Sequence, residues 1–492
     1  MEIRFIPRKY QETIFKSTAN KNTLVVLPTG LGKTNCAIML AIHRLKLFPN
    51  SKVLICAPTR PLCQQHVNSF VNLTDIPKDN IALYTGMIKK EKRKTLWQDS
   101  KVIVATPQTI KSDLQDGAIS LHDVSLLCID EAHRSKMRYA STYIASIYIQ
   151  QSKNPRILAL TASPGGTKEK INQICDNLFI SDVEIRTYQD KDVLPYVQER
   201  KISWRKVELP ESYKKIKNLL KIMLKELLSR LESYGIQKKN LSKKEILELQ
   251  RRFHLELKAG KKAYFNAISL IASILKISHA LELIETQGVE QLKSYLTRLE
   301  KETSKAVLTI KNFPSYAELK KLVQETSCEH PKMLELLELI NQNKTSRIIV
   351  FANFRETVDR IYNFLKLNNI KVVKLIGQKK GLKQKEQISV IKDFASGKYN
   401  VLICTSIGEE GLDIAEANLA IFYEPVASEI RTIQRAGRVA RSMPGRIIFL
   451  ITKRTRDEAY YWSAKRKELT MKRTLKEFKN KNQSKDLHDF IK

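Results

Sequence analysis

Leu24-Val25-Val26-Leu27-Pro28-Thr29-Gly30-Leu31-Gly32-Lys33-Thr34 decides how the first part of this 492-residue chain is read. Leu24 to Leu27 is an apolar run of strand character, and Asn35 to Leu45 is a helix-like run; a glycine-bearing turn joins them. Backbone N–H groups in such a turn converge on phosphate oxygens, and the dipole of the following helix favours negative charge. On this reading Pro28, Thr29, Gly30, Leu31 and Gly32 cradle the phosphates, Lys33 reaches the β/γ-phosphates and Thr34 holds Mg2+. Leu27 stands where the general pattern asks for Gly, so the loop taken alone also allows an ordinary strand–turn–helix. Leu126-Leu127-Cys128-Ile129-Asp130-Glu131-Ala132-His133 narrows the choice. It is another buried-strand run, ending in two adjacent carboxylates: Asp130 can hold Mg2+ and Glu131 can polarise an attacking water. An acidic pair after a strand is usually solvated, but one that shares a domain with a phosphate loop is expected to work with it. Together the two segments imply hydrolysis of a nucleoside triphosphate.

Outward from these segments, apolar strand-like runs alternate with amphipathic helix-like ones up to about residue 200. Strands are predicted at Thr23–Leu27, Lys52–Ala57, Lys101–Ala105, Leu126–Ile129 and Arg156–Leu160. That rhythm predicts a parallel sheet covered on both faces, with ligands at the carboxyl ends of the strands. From about 210 to 325 the strands disappear. Tyr213, Ile216, Leu220, Met223, Leu227, Leu231 and Tyr234 recur every three or four residues, the spacing of a long amphipathic helix. Lys214, Lys215, Lys217, Lys221 and Lys225 are assigned to its other face. Residues 211–270 hold fifteen Lys or Arg against six Glu. A solvated spacer would account for this composition, but a nucleic-acid clamp accounts better for such charge density on one inserted element. From about 326 the alternation resumes, with strands predicted at Arg347–Phe351, Lys371–Leu375, Asn400–Cys404, Leu419–Tyr423 and Arg446–Ile451. This second unit lacks a phosphate loop but carries an arginine cluster, Gln434 to Arg441. Arg438 and Arg441, three apart on one helix face, are expected to reach across the cleft as arginine fingers, a contribution on the order of 10³–10⁵ in rate.

Composition bounds the partner. There are 86 Lys+Arg against 51 Asp+Glu, a formal charge of +35, which predicts a polyanion, most simply nucleic acid. A lysine-rich or thermophilic surface is the plainer alternative. No run of 18 apolar residues and no signal-peptide layout is present, so no membrane association is expected. Seven cysteines without a C-x-x-C pair read as small hydrophobes of a reducing, cytoplasmic setting, and no structural metal is expected.

In order along the chain, Arg8-Lys9-Tyr10-Gln11, the Lys33 loop, Ala57-Pro58-Thr59-Arg60, Thr85-Gly86, Thr106-Pro107, Asp130-Glu131-Ala132-His133, Thr161-Ala162-Ser163, Val350-Phe351-Ala352-Asn353, Thr405 to Asp413 and Gln434 to Arg441 resemble the motifs of a superfamily 2 DEAH-box helicase. The shortened glycine pattern of the loop is common in that superfamily. More narrowly, Val350 to Thr357, Ser442 to Arg446 and Thr455 to Trp462 are similar to the helicase portion of archaeal Hef, kin of Fanconi anaemia M and Mph-type branched-DNA translocases. The resemblance implies an α/β fold of two tandem RecA-like parallel-sheet domains with an all-helical domain inserted between them. Expected boundaries are 1–205 for the ATP-binding domain, 206–325 for the helical DNA clamp, 326–470 for the second RecA-like domain and 471–492 for a basic C-terminal tail. It implies that Gln11 reads adenine, so that ATP with Mg2+ is the cofactor. Gln434, Arg438 and Arg441, with Gly411 and Asp413, would complete the site from the second domain. Thr161 and Ser163 would couple nucleotide state to DNA. Thr59, Arg60, Thr85, Gly86, Thr106 and Thr405 would grip the DNA strand, and Lys214, Lys217 and Lys221 the duplex arms of a fork or junction.

The expected function is therefore ATP-dependent, 3′–5′ helicase or translocase action on forked or branched DNA in fork remodelling and repair. The expected setting is a prokaryotic, archaeal cytoplasm with nucleoid association, and a separate nuclease or repair subunit would be a partner. Two rivals are an RNA-directed ATPase of the RIG-I or Dicer-like group and a non-catalytic nucleic-acid scaffold. Ala436 and Val439-Ala440 depart from the family pattern, which has Arg and Thr-Gly there. The XPF-type nuclease of Hef has no counterpart in this sequence; Glu199-Arg200-Lys201 reads as linker, and no nuclease activity is expected.

Overall fold

A computed structural model describes residues 1–236, 241–377, 384–405, 417–436 and 445–490. The first unit contains β1 (Thr23–Val26), β2 (Lys52–Cys56), β3 (Ile81–Tyr84), β4 (Val102–Ala105), β5 (Val124–Ile129), β6 (Ile157–Thr161) and β7 (Asp182–Ile185). They pair in parallel in the order β3-β4-β2-β5-β6-β1-β7. The central strands are unbroken apolar runs because helices cover both faces of the sheet. Alternation divides each strand between two cores: Val25 and Leu27 pack on one face, Leu24 and Val26 on the other.

The second sheet contains β8 (Arg200–Val207), β9 (Ile348–Phe351), β10 (Val372–Leu375), β11 (Val401–Cys404), β12 (Leu419–Phe422) and β13 (Gly445–Thr452). Its order is β10-β11-β9-β12-β13-β8, again parallel. All ten strands predicted from sequence are present, and β3, β7 and β8 are additional. β8 corrects two expectations. Residues 200–207 belong to the second sheet, in register with β13, so the first unit ends before 205 and Arg200-Lys201 is strand, not linker. The chain thus enters the second sheet, leaves through the helical unit and returns.

Six helices, Glu211–Ser229, Lys243–Lys258, Tyr264–Thr286, Val289–Glu300, Lys305–Lys311 and Pro314–Glu325, form the inserted bundle. Every member of the predicted stripe from Tyr213 to Leu231 is buried, and Tyr234 packs partly buried against the same core. Tyr264–Thr286 is the one described helix long and apolar enough to suit a bilayer, but Ile271, Ile274, Ile277 and Ile284 are buried at the centre of this bundle.

The C-terminal segment also departs from expectation. Residues 471–490 are not a separate tail but continue a helix running Arg456–Phe490. Met471 and Leu475 are buried in the core of the first sheet, so the helix leaves the second unit and straps back onto the first.

Candidate functional site: a nucleotide cleft beside a nucleic-acid edge

The phosphate loop leaves the carboxyl end of β1. Gly30 (φ 85°) and Gly32 (φ 74°) adopt left-handed backbone, which lets the chain turn sharply into the helix Lys33–Leu47. At Gly32 a Cβ would also stand 2.6 Å from Gln11 Nε2. Lys33 Nζ donates to Leu27 O at 3.3 Å, so the ammonium is folded across the loop. Three groups from outside hold the loop. Tyr10 OH donates to Leu31 O (2.7 Å), Gln11 Nε2 to the same carbonyl (3.3 Å), and Tyr188 OH to Thr29 O (3.0 Å). Tyr196 packs edge-on against Tyr10 with Arg8 over its ring, so the segment after β7 closes the loop from one side. Tyr188 and Tyr196 were not legible as site residues, since nothing local marks them.

Asp130 and Glu131 follow β5. Asp130 is buried; its Oδ1 accepts the Glu131 N–H (2.8 Å) and its Oδ2 lies 2.9 Å from His66 Nε2. Burial alone would raise the Asp130 carboxyl, but the hydrogen bond and electrostatic pull of His66, with the Lys33 charge, hold it below the usual carboxylate range. Glu131 has φ 52°, a left-handed conformation uncommon for a residue with a side chain and concentrated at functional sites. His133 Nδ1 stands 3.2 Å from both Glu131 Oε2 and Thr161 Oγ1; only the Thr161 contact has hydrogen-bond geometry. Thr161 Oγ1 accepts the Ser163 N–H (3.1 Å), and Ser163 Oγ contacts Met471 Sδ (3.0 Å) on the C-terminal helix. A continuous set of contacts therefore runs from the Glu131 carboxylate to an element anchored in the second unit.

These residues suit a Mg2+-nucleotide. Among the described residues, the first N–H groups of the helix have no intrahelical acceptor and Thr29 Oγ1 is buried without a hydrogen-bond partner, while a cation and carboxylates converge from β1 and β5. Thr34 is the second residue of the same helix.

The sheet order separates a second group. Thr59 follows β2, Thr85 and Gly86 follow β3, and Thr106 follows β4; these strands are neighbours at one end of the sheet. Thr59 and Thr106 each occupy an N-cap position, of the helices Arg60–Leu73 and Pro107–Gln115. Thr59 Oγ1 has no hydrogen-bond partner among the described residues, Thr106 Oγ1 pairs with Thr109 Oγ1 (2.8 Å), and Arg60 is exposed. The nucleotide residues follow β5, β6 and β1 on the other half of the sheet. Thr405, at the end of β11, is buried.

Of the basic face on the helix Glu211–Ser229, Lys214 and Lys221 are exposed. Lys217 is not, and its assignment to nucleic acid is corrected. Its ammonium is buried, 2.9 Å from Glu285 Oε1, and donates to Arg454 O (2.6 Å). It fastens the bundle to the second unit, because its position puts it toward the apolar stripe beside Ile216. In the second unit Arg435 is likewise structural: it is fully buried over the Phe351 and Phe422 rings and donates to Asn353 Oδ1 (2.9 Å). Gly411, Asp413, Arg438 and Arg441 lie outside the described residues, as does the side chain of Gln434.

Comparison with known proteins agrees with this architecture. The family described as DEAD/DEAH box helicase matches residues 8–171, "Helicase conserved C-terminal domain" matches 331–443, and "Putative ATP-dependent RNA helicase, helical bundle" matches 212–329. The crystal structure of the Pyrococcus furiosus Hef helicase domain is 44% identical, with a TM-score of 0.74, covering 93% of this chain and 98% of that one. A Methanocaldococcus jannaschii protein named "Putative ATP-dependent RNA helicase" is 40% identical over 95% of this chain and 60% of its own length. The Schizosaccharomyces pombe "ATP-dependent DNA helicase fml1" is 33% identical over 93% and 58%. The chain thus spans at most about three-fifths of these two curated relatives. With two parallel sheets, a helical bundle between them and a nucleotide loop at the end of β1, the chain belongs to the superfamily 2 helicases of the Hef and Fanconi anaemia M type, ATP-hydrolysing enzymes.

Proposed function

We propose that this chain uses ATP hydrolysis to move along DNA at forks and branched junctions, in the 3′–5′ sense expected of its family. The observation that carries the reading is the division of the first sheet. Nucleotide groups follow β5, β6 and β1, and candidate backbone-gripping groups follow β3, β4 and β2, so one rigid sheet serves both ligands. Lys33 and the loop N–H groups would hold the phosphates, Thr34 and Asp130 the Mg2+, and Gln11 the adenine. The metal, when bound, supplies charge neutralisation at the transferring phosphoryl. Glu131 would orient and deprotonate the attacking water; its Oε2 has no hydrogen-bond partner among the described residues. Gln434, Arg438 and Arg441, with Gly411 and Asp413, are the groups the second domain would bring to the γ-phosphate. Thr161 and Ser163 would report nucleotide state through Met471. Thr59, Arg60, Thr85, Gly86, Thr106 and Thr405 would contact the strand without reading sequence. Lys214 and Lys221, without Lys217, would meet duplex phosphates.

Support for DNA comes from relatives named DNA helicases in fission yeast and Neurospora crassa, whereas the Methanocaldococcus jannaschii relative and the helical-bundle family carry RNA in their names. The deciding experiment is the ATPase rate on single-stranded, duplex, forked and four-way DNA and on duplex RNA, with Lys33→Ala as control. Forked or four-way DNA should stimulate most, and K33A should abolish turnover while retaining DNA binding. Greater stimulation by duplex RNA would move the substrate to RNA, and turnover by K33A would remove the site. A nuclease or repair subunit as partner is testable by co-purification from the source cell.

A further inference from the structure

The first sheet changes from one ligand to the other between β2 and β5, which are neighbours. β2 leads into the helix Arg60–Leu73, whose N-cap is Thr59 and whose first residue is Arg60, both candidate DNA contacts. β5 leads into Asp130. Among the described residues, one side-chain hydrogen bond crosses this seam at the level of the site: His66, six residues into that helix, with its Nε2 2.9 Å from Asp130 Oδ2. A carboxylate oxygen only accepts, so Nε2 carries the hydrogen and donates. His66 is 2% exposed and Asp130 is 8% exposed, so the bond is largely shielded from solvent. The other ring nitrogen, Nδ1, is buried with no hydrogen-bond partner among the described residues. Burying that nitrogen costs free energy, which a packing residue would avoid by being apolar. Among the described residues, the ring's one hydrogen bond is with the carboxylate assigned to Mg2+.

We infer that His66 is a positioning residue, which fixes the Asp130 carboxylate for Mg2+ and ties its orientation to the helix that begins at the DNA-gripping Thr59-Arg60. This rests on the proposed nucleotide and DNA sites and assigns their connection. The other oxygen of Asp130 is held by the Glu131 N–H, so His66 is the only side chain hydrogen-bonded to this carboxylate among the described residues. A rigid helix transmits small displacements at its first turn to the ring two turns on, and the ring moves the carboxylate. Groups that hydrogen-bond a metal ligand from outside the coordination sphere typically change metal affinity by about 10–100-fold when removed.

The test uses the full chain with His66→Leu, which keeps bulk without a donor, and His66→Gln, which keeps an amide donor. Binding of a fluorescent ADP analogue is titrated with Mg2+ and repeated in EDTA, and the ratio of fork-stimulated to basal ATPase is measured. H66L is expected to raise the Mg2+ concentration for half-maximal nucleotide binding about tenfold. Affinity in EDTA and fork-DNA affinity should be unchanged, and the stimulation ratio should fall. H66Q should recover most of both losses, a rescue that a merely space-filling role does not give. A Mg2+ requirement in H66L equal to wild type would overturn the inference, as would an equal loss in EDTA. If H66L does not fold, His66→Asn, whose shorter amide does not reach Asp130 Oδ2, takes its place: a raised Mg2+ requirement that H66Q does not share supports the inference, and a wild-type Mg2+ requirement or an equal loss in EDTA overturns it. Failure of the underlying reading is separate, since it would show as K33A retaining Mg2+-dependent nucleotide binding.

Discussion

Lys217→Met separates lysines that hold the fold from lysines that meet DNA on a single helix. The Lys217 and Glu285 side chains are 8% and 4% exposed and 2.9 Å apart, so this is a buried pair, not a solvated one. Removing the ammonium leaves Glu285 buried without its cation, a loss of about 3–5 kcal/mol. The lower end applies, because Glu285 Oε2 also accepts the Arg456 N–H at 3.1 Å, which offsets part of the penalty. K217M also removes the bond to Arg454 O, and with it one tie between the bundle and the second unit. A chain of several units need not unfold in one step, so the fitting measurement is local. Hydrogen exchange of residues 211–229 and 264–286 should accelerate on the order of 100-fold, equivalent to ~3 kcal/mol. The double variant Lys217→Met/Glu285→Met should recover most of the protection, since a buried ion pair replaced by apolar side chains is often neutral or stabilising. Unchanged exchange in K217M would refute the argument. So would a loss of fork affinity with protection intact, which would return Lys217 to the phosphates.

Further outcomes follow from the same structure. Lys214→Gln with Lys221→Gln should leave stability unchanged but weaken fork binding and flatten its salt dependence, by up to about 0.9 in log–log slope for each phosphate no longer neutralised; filter binding from 50 to 200 mM salt reads this. Glu424 is buried, and desolvation pushes its carboxyl up to about 7 despite nearby Lys332. Its raised value means stability is greatest below the ordinary range near 4.5 and declines as pH rises through about 7. Glu424→Gln should therefore match wild type at pH 4 and exceed it at pH 8 by on the order of 1–3 kcal/mol in thermal or urea melts, and no difference between the two pH values would count against it. Gly32→Ala forces a side chain into left-handed backbone at φ 74°, costing about 1–2 kcal/mol locally, and should weaken nucleotide binding measured by fluorescence anisotropy. Met471→Ala with Leu475→Ala should cost roughly 2–5 kcal/mol per buried side chain in docking of the C-terminal helix. Hydrogen exchange of the helix should report this release, and slow exchange at wild-type rates would deny that the strap packs on the first unit.

Much of the architecture was legible because a parallel sheet covered on both faces needs continuous apolar strands, and β1, β2, β5, β9, β11 and β12 are such runs. The bundle was legible from the stripe Tyr213 to Leu231, which can be buried only as one face of a helix. The phosphate loop and Asp130-Glu131 were legible because their chemistry demands rare residue types at short spacing. β8 was not, since Arg200–Val207 is a polar edge strand whose partner, β13, comes some 240 residues later.

The order of strands, the burial of Lys217 against Glu285, the return of Met471 to Ser163 and the bond from His66 to Asp130 were decided only by tertiary structure. Each joins residues far apart in the chain, and local periodicity carries no record of which distant group a side chain will meet. A lysine one step off an apolar stripe and a histidine inside a helix read the same whether they face water or a buried carboxylate. Local pattern sets what an element is made of; long-range packing sets what its polar groups are for.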